Sequence, residues 1–310
     1  MDILPTKGPQ IGRFMSSKPK LNVKFLRQVG EGGDSWVWKV NIDGGVYALK
    51  MFKPYTAQYI YPMQLDRFRE LGIEDETAVF HALDPFANEC RAYGRLEETN
   101  NTSIGVACYG YLLLSPDSYE DLDFADFRDL NWVEFKDGDY DPRKPTAPIR
   151  TLVKEYIESY NPFTPDMIQE MLRNLKLLHK HGIVHRDIRA DNYIEGQLVD
   201  FSTALTAPHF LLDMELGYND LEEIYSYEVE DGYDFDSMID RWSAVTGMPV
   251  WERFLPNFRY RHPLRTKETE EKEKASSSTA DRLAARWEAY SKLRDQIKWH
   301  AADYDWNKGV

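Results

Sequence analysis

The sequence predicts an α+β chain of two lobes, an amino-terminal antiparallel sheet with one helix followed by a mainly helical carboxy-terminal part. Three observations predict it. Short apolar runs of strand-like composition recur through the first half, at Val23–Val29, Ser35–Ile42, Val46–Phe52, Ile104–Leu114 and Thr151–Ile157. After Asn161 the apolar period changes from 2 to 3.6. With 310 residues, 42 % of them apolar, the chain is long enough for two lobes sharing a cleft and too apolar for a disordered one. The expected division is a tail over 1–20, a first lobe over 21–157 with insertions at about 54–84 and 115–149, and a second lobe over 158–310 ending in a long helix.

Taken in order, the first twenty residues are polar, rich in Lys, Pro and Ser, and read as a tail or a strap. Asp43-Gly44-Gly45 is a hairpin signal between the second and third strands. Pro54–Asp84 has no clear period and reads as an insertion. Asp84-Pro85 opens a helix, Asp as N-cap and Pro in the first turn, with Phe86, Cys90 and Tyr93 on one face. Ser115–Arg150 reads as a long loop. Thr164-Pro165 starts a second helix with the stripe Ile168, Met171, Leu172, Leu175 and Leu178, closed by Gly182. A short hairpin, Tyr193-Ile194 with Leu198-Val199, turns on Glu195-Gly196. Farther on, Thr266–Lys274 and Ser276–Thr279 read as a linker, and Asp281–His300 as a long helix with Leu283, Trp287, Tyr290 and Leu293 on one face.

Composition removes several function classes. No stretch approaches the run of about 20 apolar residues that crosses a bilayer, and the start lacks a secretory signal, so the expectation is an intracellular protein, cytoplasmic or nuclear, with no membrane partner. Cys90 and Cys108 make no disulfide framework and read as thiols of a reducing compartment. Net charge is −14. Ten acids against Arg128 and Lys136 fill Ser115–Pro142, and eleven acids with no Lys or Arg fill Leu211–Asp240. Such a field disfavours nucleic acid and favours a basic partner or acceptor.

The segment with most chemistry is His185-Arg186-Asp187-Ile188-Arg189-Ala190-Asp191-Asn192, followed by Asp200-Phe201-Ser202. Phosphoryl transfer needs one carboxylate to orient the acceptor hydroxyl, and a second carboxylate with an amide oxygen to hold Mg²⁺ against the phosphates. Asp187 suits the first task, Asn192 and Asp200 the second. These motifs resemble the protein-kinase superfamily. His185 to Asn192 meets the H-R-D-x-x-x-x-N pattern in full, and Asp200-Phe201-Ser202 is similar to D-F-G with Ser202 replacing the glycine. Upstream, Gly30-Glu31-Gly32-Gly33-Asp34-Ser35-Trp36-Val37 resembles the G-x-G-x-x-G-x-V loop, whose backbone N–H groups approach phosphates, with Ser35 in the third glycine's place. Tyr47-Ala48-Leu49-Lys50 resembles V-A-I-K.

The resemblance implies an ATP and Mg²⁺ site. Gly30, Gly32, Gly33, Ser35, Val37 and Ala48 would cover the nucleotide, and Lys50 would pair with its phosphates. Glu89 would steady Lys50, with Glu70 and Glu97 as the other acids in range. Lys154-Glu155-Tyr156-Ile157 would form the hinge, with backbone groups of Glu155 and Ile157 on adenine. Arg189 would neutralise charge in transit. Asp240-Arg241-Trp242-Ser243 resembles the D-x-W-S helix start whose Asp braces the catalytic loop, Glu228 stands near the place of the missing A-P-E, and Thr203 or Thr206 is the candidate activation site near Arg186. Phe25–Lys53, Asn88–Leu96 and Val184–Ala204 are further similar to fungal kinase-like proteins labelled after a Sim4-complex kinetochore subunit. Three functions are open on these grounds: an ATP-dependent phosphotransferase with an unidentified protein or small-molecule acceptor; a catalytically weak pseudokinase or scaffold in a kinetochore-like complex, favoured by Ser202 and the missing A-P-E; and a kinase-fold biosynthetic enzyme transferring acyl or aminoacyl groups, such as a tRNA-dependent arginine-containing cyclodipeptide synthase.

Overall fold

The computed structural model describes residues 8–16, 21–53, 69–70, 81–114, 149–159, 161–214, 219–254 and 301–305. They fall into two compact units, one within Met1–Tyr160 and Leu198–Ser202, the other within Asn161–Gln197 and Thr203–Val310. Most of the insertions expected at 54–84 and 115–149, the linker at 266–279 and the helix expected at 281–300 lie outside the described residues.

The first unit is built on a five-stranded antiparallel sheet, β1 (Val23–Glu31), β2 (Ser35–Ile42), β3 (Gly45–Phe52), β4 (Cys108–Leu114) and β5 (Ile149–Glu155), in the order β1-β2-β3-β5-β4. The β2–β3 hairpin turns where the sequence signal places it, through Asp43 and Gly44 at positive φ. Side chains alternate faces along a strand, and directly opposed residues share a face. One face therefore gathers the apolar cluster Trp36, Val40, Ile42, Leu49, Met51, Leu112, Leu114, Ile149 and Val153. The other carries Val37, Ala48, Lys50 and Lys154, since Val37 and Leu152 lie opposite Lys50 and Lys154 lies opposite Ala48. Helix α1 (Pro85–Glu98) belongs to this unit, its N-cap Asp84 accepting from Phe86 N–H at 3.0 Å. Phe86 meets Phe52 edge-on, with ring centroids 5.3 Å apart.

The expected fourth strand begins later than Ile104 because Gly105 bridges Leu198 and Val106 N–H donates to Leu198 O at 2.8 Å. These contacts bring Leu198–Ser202 into the first unit. The amino-terminal segment is a strap: Ile11 N–H donates to Cys90 O on α1, and Phe14 N–H to Tyr111 O on the edge strand β4, each at 2.9 Å. A Cβ at Gly94 would stand 2.4 Å from Gln10 N, so glycine at that point of α1 is what admits the strap.

In the second unit, α2 (Ile168–Lys180) buries Ile168, Met171, Leu175 and Leu178 along one stripe. The strands β6 (Ile183–Val184) and β9 (Leu205–Thr206) pair antiparallel. Between them in sequence, β7 (Tyr193–Ile194) turns through Glu195 and Gly196, both at positive φ, into β8 (Gln197–Leu198). Helix α3 spans Leu221–Thr246, started by a capping box between Asp220 and Glu223 and ended by Gly247 at φ +71°. Asp240 is thus well inside a helix, not at its start, because the capping box lies twenty residues upstream. Among the described residues no helix is long and apolar enough to cross a membrane.

Candidate functional site

Four charged side chains meet in the first unit. Lys50 Nζ lies 2.6 Å from Glu89 Oε2 and 2.6 Å from Asp200 Oδ1. Glu89 is wholly buried, and its second oxygen, Oε1, accepts from Lys154 Nζ. Lys154 also donates to Val199 O at 2.7 Å. The local sequence explains the meeting: β3 and β5 present Lys50 and Lys154 on one sheet face, α1 supplies Glu89, and Leu198–Ser202 brings Val199 and Asp200. Of the three acids weighed for Lys50, Glu89 is the one it pairs with.

The network is two cations and two carboxylates, neutral in sum, and that balance is what lets four charges stay out of water. The Asp200 carboxyl is held well below the usual carboxylate range. Desolvation pushes it up, and Lys50 and Lys154, with hydrogen bonds from Lys50 and Ser202 N–H, outweigh that. Burial pushes the Lys154 ammonium down, but Glu89 chiefly outweighs it, so its pKa is raised and it keeps its charge. Burial also pushes the Cys108 thiol up to about 12 and raises that of the fully buried Cys90, which disfavours the thiolate form of both.

The glycine turn differs from its sequence expectation. Gly30 pairs with Val37 in the β1–β2 ladder, and Ser35 is buried on β2. The Gly32 N–H is not directed at a ligand: it closes the turn on Ser35 O at 2.9 Å. Lys53 ties the turn from below, Nζ to Gly32 O and N–H to Asp34 O, each at 2.8 Å. A Cβ at Gly33 would meet nothing within 4 Å, so the fold does not itself require that glycine. Asp34 adds an acid here, its carboxyl raised by partial desolvation, with Lys50 lowering and Asp200 raising it. At the expected hinge, the Glu155 N–H is engaged by Ala107 O at 2.8 Å. Tyr156 and Ile157 leave the strand, the Tyr156 hydroxyl accepting from Arg27 at 2.8 Å.

The second unit holds the other predicted residues. Asn192 Nδ2 donates to Asp187 O and to Asp187 Oδ2, each at 2.8 Å, and Arg189 Nε stands 3.3 Å from Asp187 Oδ2. Asp187, Arg189 and Asn192 are thus one cluster. The residue that braces their loop is Asp231, wholly buried on α3, which accepts from His185 N–H at 2.8 Å, from Arg186 N–H at 2.7 Å and bonds His179 Nε2 at 3.0 Å. Asp240, expected in that role, pairs with Arg253 instead (2.5 Å). Glu228 also lies inside α3, where it accepts from Ala301 N–H and does not end a loop. Thr206 is buried in β9, and the Thr203 hydroxyl donates to His185 O at 3.0 Å, so neither stands open as a modification site. Arg186 packs over the Tyr227 ring, 5.3 Å from its centroid.

Two residues escaped the sequence reading. Lys154 was visible as an inward-facing lysine in an apolar strand, Thr151-Leu152-Val153-Lys154, but was read for its backbone alone. Asp231 is one of eleven acids in its stretch and carried no mark of its own.

Among the described residues no group of three or more His, Cys, Asp or Glu is placed to hold a metal. In the first unit Asp200 Oδ1 is engaged by Lys50 Nζ at 2.6 Å and by Ser202 N–H at 2.8 Å.

A family model described as "Kinetochore Sim4 complex subunit FTA2" matches residues 1–205. The chain belongs to the FTA2 family. The matched span takes in the whole β1–β5 sheet, the strap, Lys50, Glu89, Lys154, Asp187, Asn192 and Asp200. No curated protein matches the chain.

Proposed function

We propose that this FTA2-family chain is a protein-binding subunit of a kinetochore assembly, nuclear in location, built on a kinase-like scaffold that holds nucleotide and does not transfer phosphate. The observation that carries this reading is the buried Lys154. It takes half of Glu89 and leaves the Lys50–Asp200 pair inside a neutral network that disfavours Mg²⁺. The engaged Gly32 and Glu155 N–H groups, the turn tied by Lys53, and Ser202 in place of a glycine favour a chain that does not transfer phosphate. Protein partners are further supported by Val245, Met248 and Trp251, large apolar side chains 87 %, 49 % and 86 % exposed within seven residues.

The phosphotransferase reading has one specific support, the Asp187–Asn192–Arg189 cluster, which holds a carboxylate in a fixed orientation. The aminoacyl-transfer reading gains nothing from the described residues. Purification of a tagged chain from its host separates the first two. The expected result is enrichment at centromeric chromatin together with other Sim4-complex subunits, and ATP turnover no different from that of Asp187→Ala. A chain spread evenly over chromatin with Asp187-dependent turnover would overturn the proposal.

A further inference from the structure

We propose that residues 8–16 are a releasable lock on the first unit. Seated, they close the outer edge of its sheet; released, they leave between α1 and β4 a slot that takes an extended protein segment by strand addition. The inference extends the protein-binding part of the reading above, which it rests on for the partner, and adds where and in what form a partner segment is held.

Strand β4 stands at one end of the sheet order, and an outer strand presents N–H and C=O groups that pair readily with another chain. The strap covers them at Tyr111. Phe14 N–H donates to Tyr111 O at 2.9 Å and Tyr111 N–H donates to Gly12 O at 3.0 Å, which makes a parallel bridge of Arg13 with Tyr111. Upstream, Ile11 N–H donates to Cys90 O on α1 at 2.9 Å. Downstream, the Phe14 ring meets Tyr47 edge-on at 5.7 Å, both packed against the apolar cluster, and Ser16 Oγ donates to Asp43 Oδ2 at 2.5 Å. The strap thus runs from α1 over the outer strand to the apolar face and ties all three together.

The floor of this path is bare of side chains at two points. A Cβ at Gly94 would stand 2.4 Å from Gln10 N, and one at Gly110 would stand 2.6 Å from Phe14 N and 2.7 Å from Gly12 O. Gly110 has φ +125°, which calls for glycine by itself. Gly94 lies inside α1, where alanine is the better helix former, so the approach of the strap is what accounts for it. The hold is modest for the length of chain involved. Of residues 8–16 only Pro9 and Ile11 are buried, and Met15 is 84 % exposed. These two side chains and the backbone hydrogen bonds at Ile11, Gly12 and Phe14 stand against the entropy of ordering the whole segment, so seating and release are close in free energy. The slot accordingly selects backbone running parallel to β4 at Tyr111, with an apolar side chain where Ile11 stands.

The test uses the full-length wild type, Ile11→Asp and Gly94→Ala, with a fluorescein-labelled synthetic peptide of the strap sequence, Gly8–Ser16, as the probe. Ile11→Asp unseats the strap and leaves the slot open, whereas Gly94→Ala fills the floor of the slot and keeps α1 helical. Amide exchange at Phe14 and Tyr111 should be about tenfold faster in both variants than in wild type, with the amides of α3 unchanged as the mark of an intact fold. The peptide should bind Ile11→Asp about tenfold more tightly than it binds wild type, whose own strap competes, and about tenfold more tightly than Gly94→Ala. Unchanged exchange at Tyr111 in both variants would overturn the lock, and equal peptide binding by Ile11→Asp and Gly94→Ala would overturn the slot. Should a variant not fold, wild type decides alone: Ile11 and Phe14 amides that exchange as slowly as the core of α3 would mean that the strap does not release. Each of these failures leaves enrichment at centromeric chromatin, the test of the reading beneath, untouched.

Discussion

Glu89 in the first unit and Asp231 in the second are both acidic side chains with no exposure to solvent, and their oxygens are partnered by different means. Glu89 is matched by side chains, the ammonium groups of Lys50 and Lys154. Asp231 is matched mainly by the chain itself, through the N–H groups of His185 and Arg186, with one histidine. Side-chain matching gathers mobile charge at one point and makes an electrostatic site. Backbone matching fixes the path of a loop. The first arrangement decides which ligand is attracted, and the second decides where Asp187 and Asn192 stand.

The largest effect that sharpens this contrast is expected from Glu89→Gln. It leaves two buried ammonium groups with Asp200 as their one remaining countercharge in the network, and removing one member of a buried ionic group costs about 3–5 kcal/mol. Urea unfolding should show this as a lower midpoint with an unchanged slope. A loss below about 1 kcal/mol, the scale of exposed ion pairs, would mean the network is hydrated and the contrast fails.

Asp231→Asn should cost less, about 2–3 kcal/mol, since two charge-assisted backbone hydrogen bonds are weakened and the imidazole that loses its countercharge, His179, can release its proton where an ammonium cannot. Its signature is local. Amide exchange at His185 and Arg186 should speed up, while Asp240→Asn, which breaks only the pair with Arg253, should leave those amides unchanged. Faster exchange in the Asp240 variant alone would return the bracing role to Asp240.

The smallest effect concerns pH. Burial pushes the His179 imidazole down, but the hydrogen bond it donates to Asp231 chiefly outweighs it, with Glu228 adding, so its folded pKa lies above 6.5. A raised folded pKa means that the protonated form stabilises the fold. That contribution is complete below about pH 6.5 and is lost as pH rises through the folded value. Thermal midpoints should therefore decline from pH 6 towards pH 8, and His179→Gln should flatten the decline. An unchanged slope in the variant would place the titrating group elsewhere.

Much of the first unit was legible from sequence because its signals are local. Strand alternation, the Asp43-Gly44 turn and the Asp84-Pro85 cap each specify their own few residues, and the strands and helix form where those signals stand. The Lys50–Glu89 pair was legible through motif resemblance. The remainder was hidden because it depends on register and on distant contacts. Nothing within Thr151–Lys154 says that β5 sits beside β3 with Lys154 opposite Ala48, which is what turns an ordinary strand lysine into a buried partner of Glu89. Nothing in an eleven-acid stretch says which acid a helix will carry inward, and a motif resemblance pointed to Asp240, nine residues past the acid that does it. A glycine-rich segment likewise does not reveal that its own turn will engage the Gly32 N–H.

The most direct trial of the whole account is steady-state ATP consumption in Mg²⁺ buffer by purified wild-type chain beside Asp187→Ala. A neutral, lysine-filled site predicts that both rates sit together at the buffer background. A wild-type rate standing clear of that background and abolished by the substitution would contradict it.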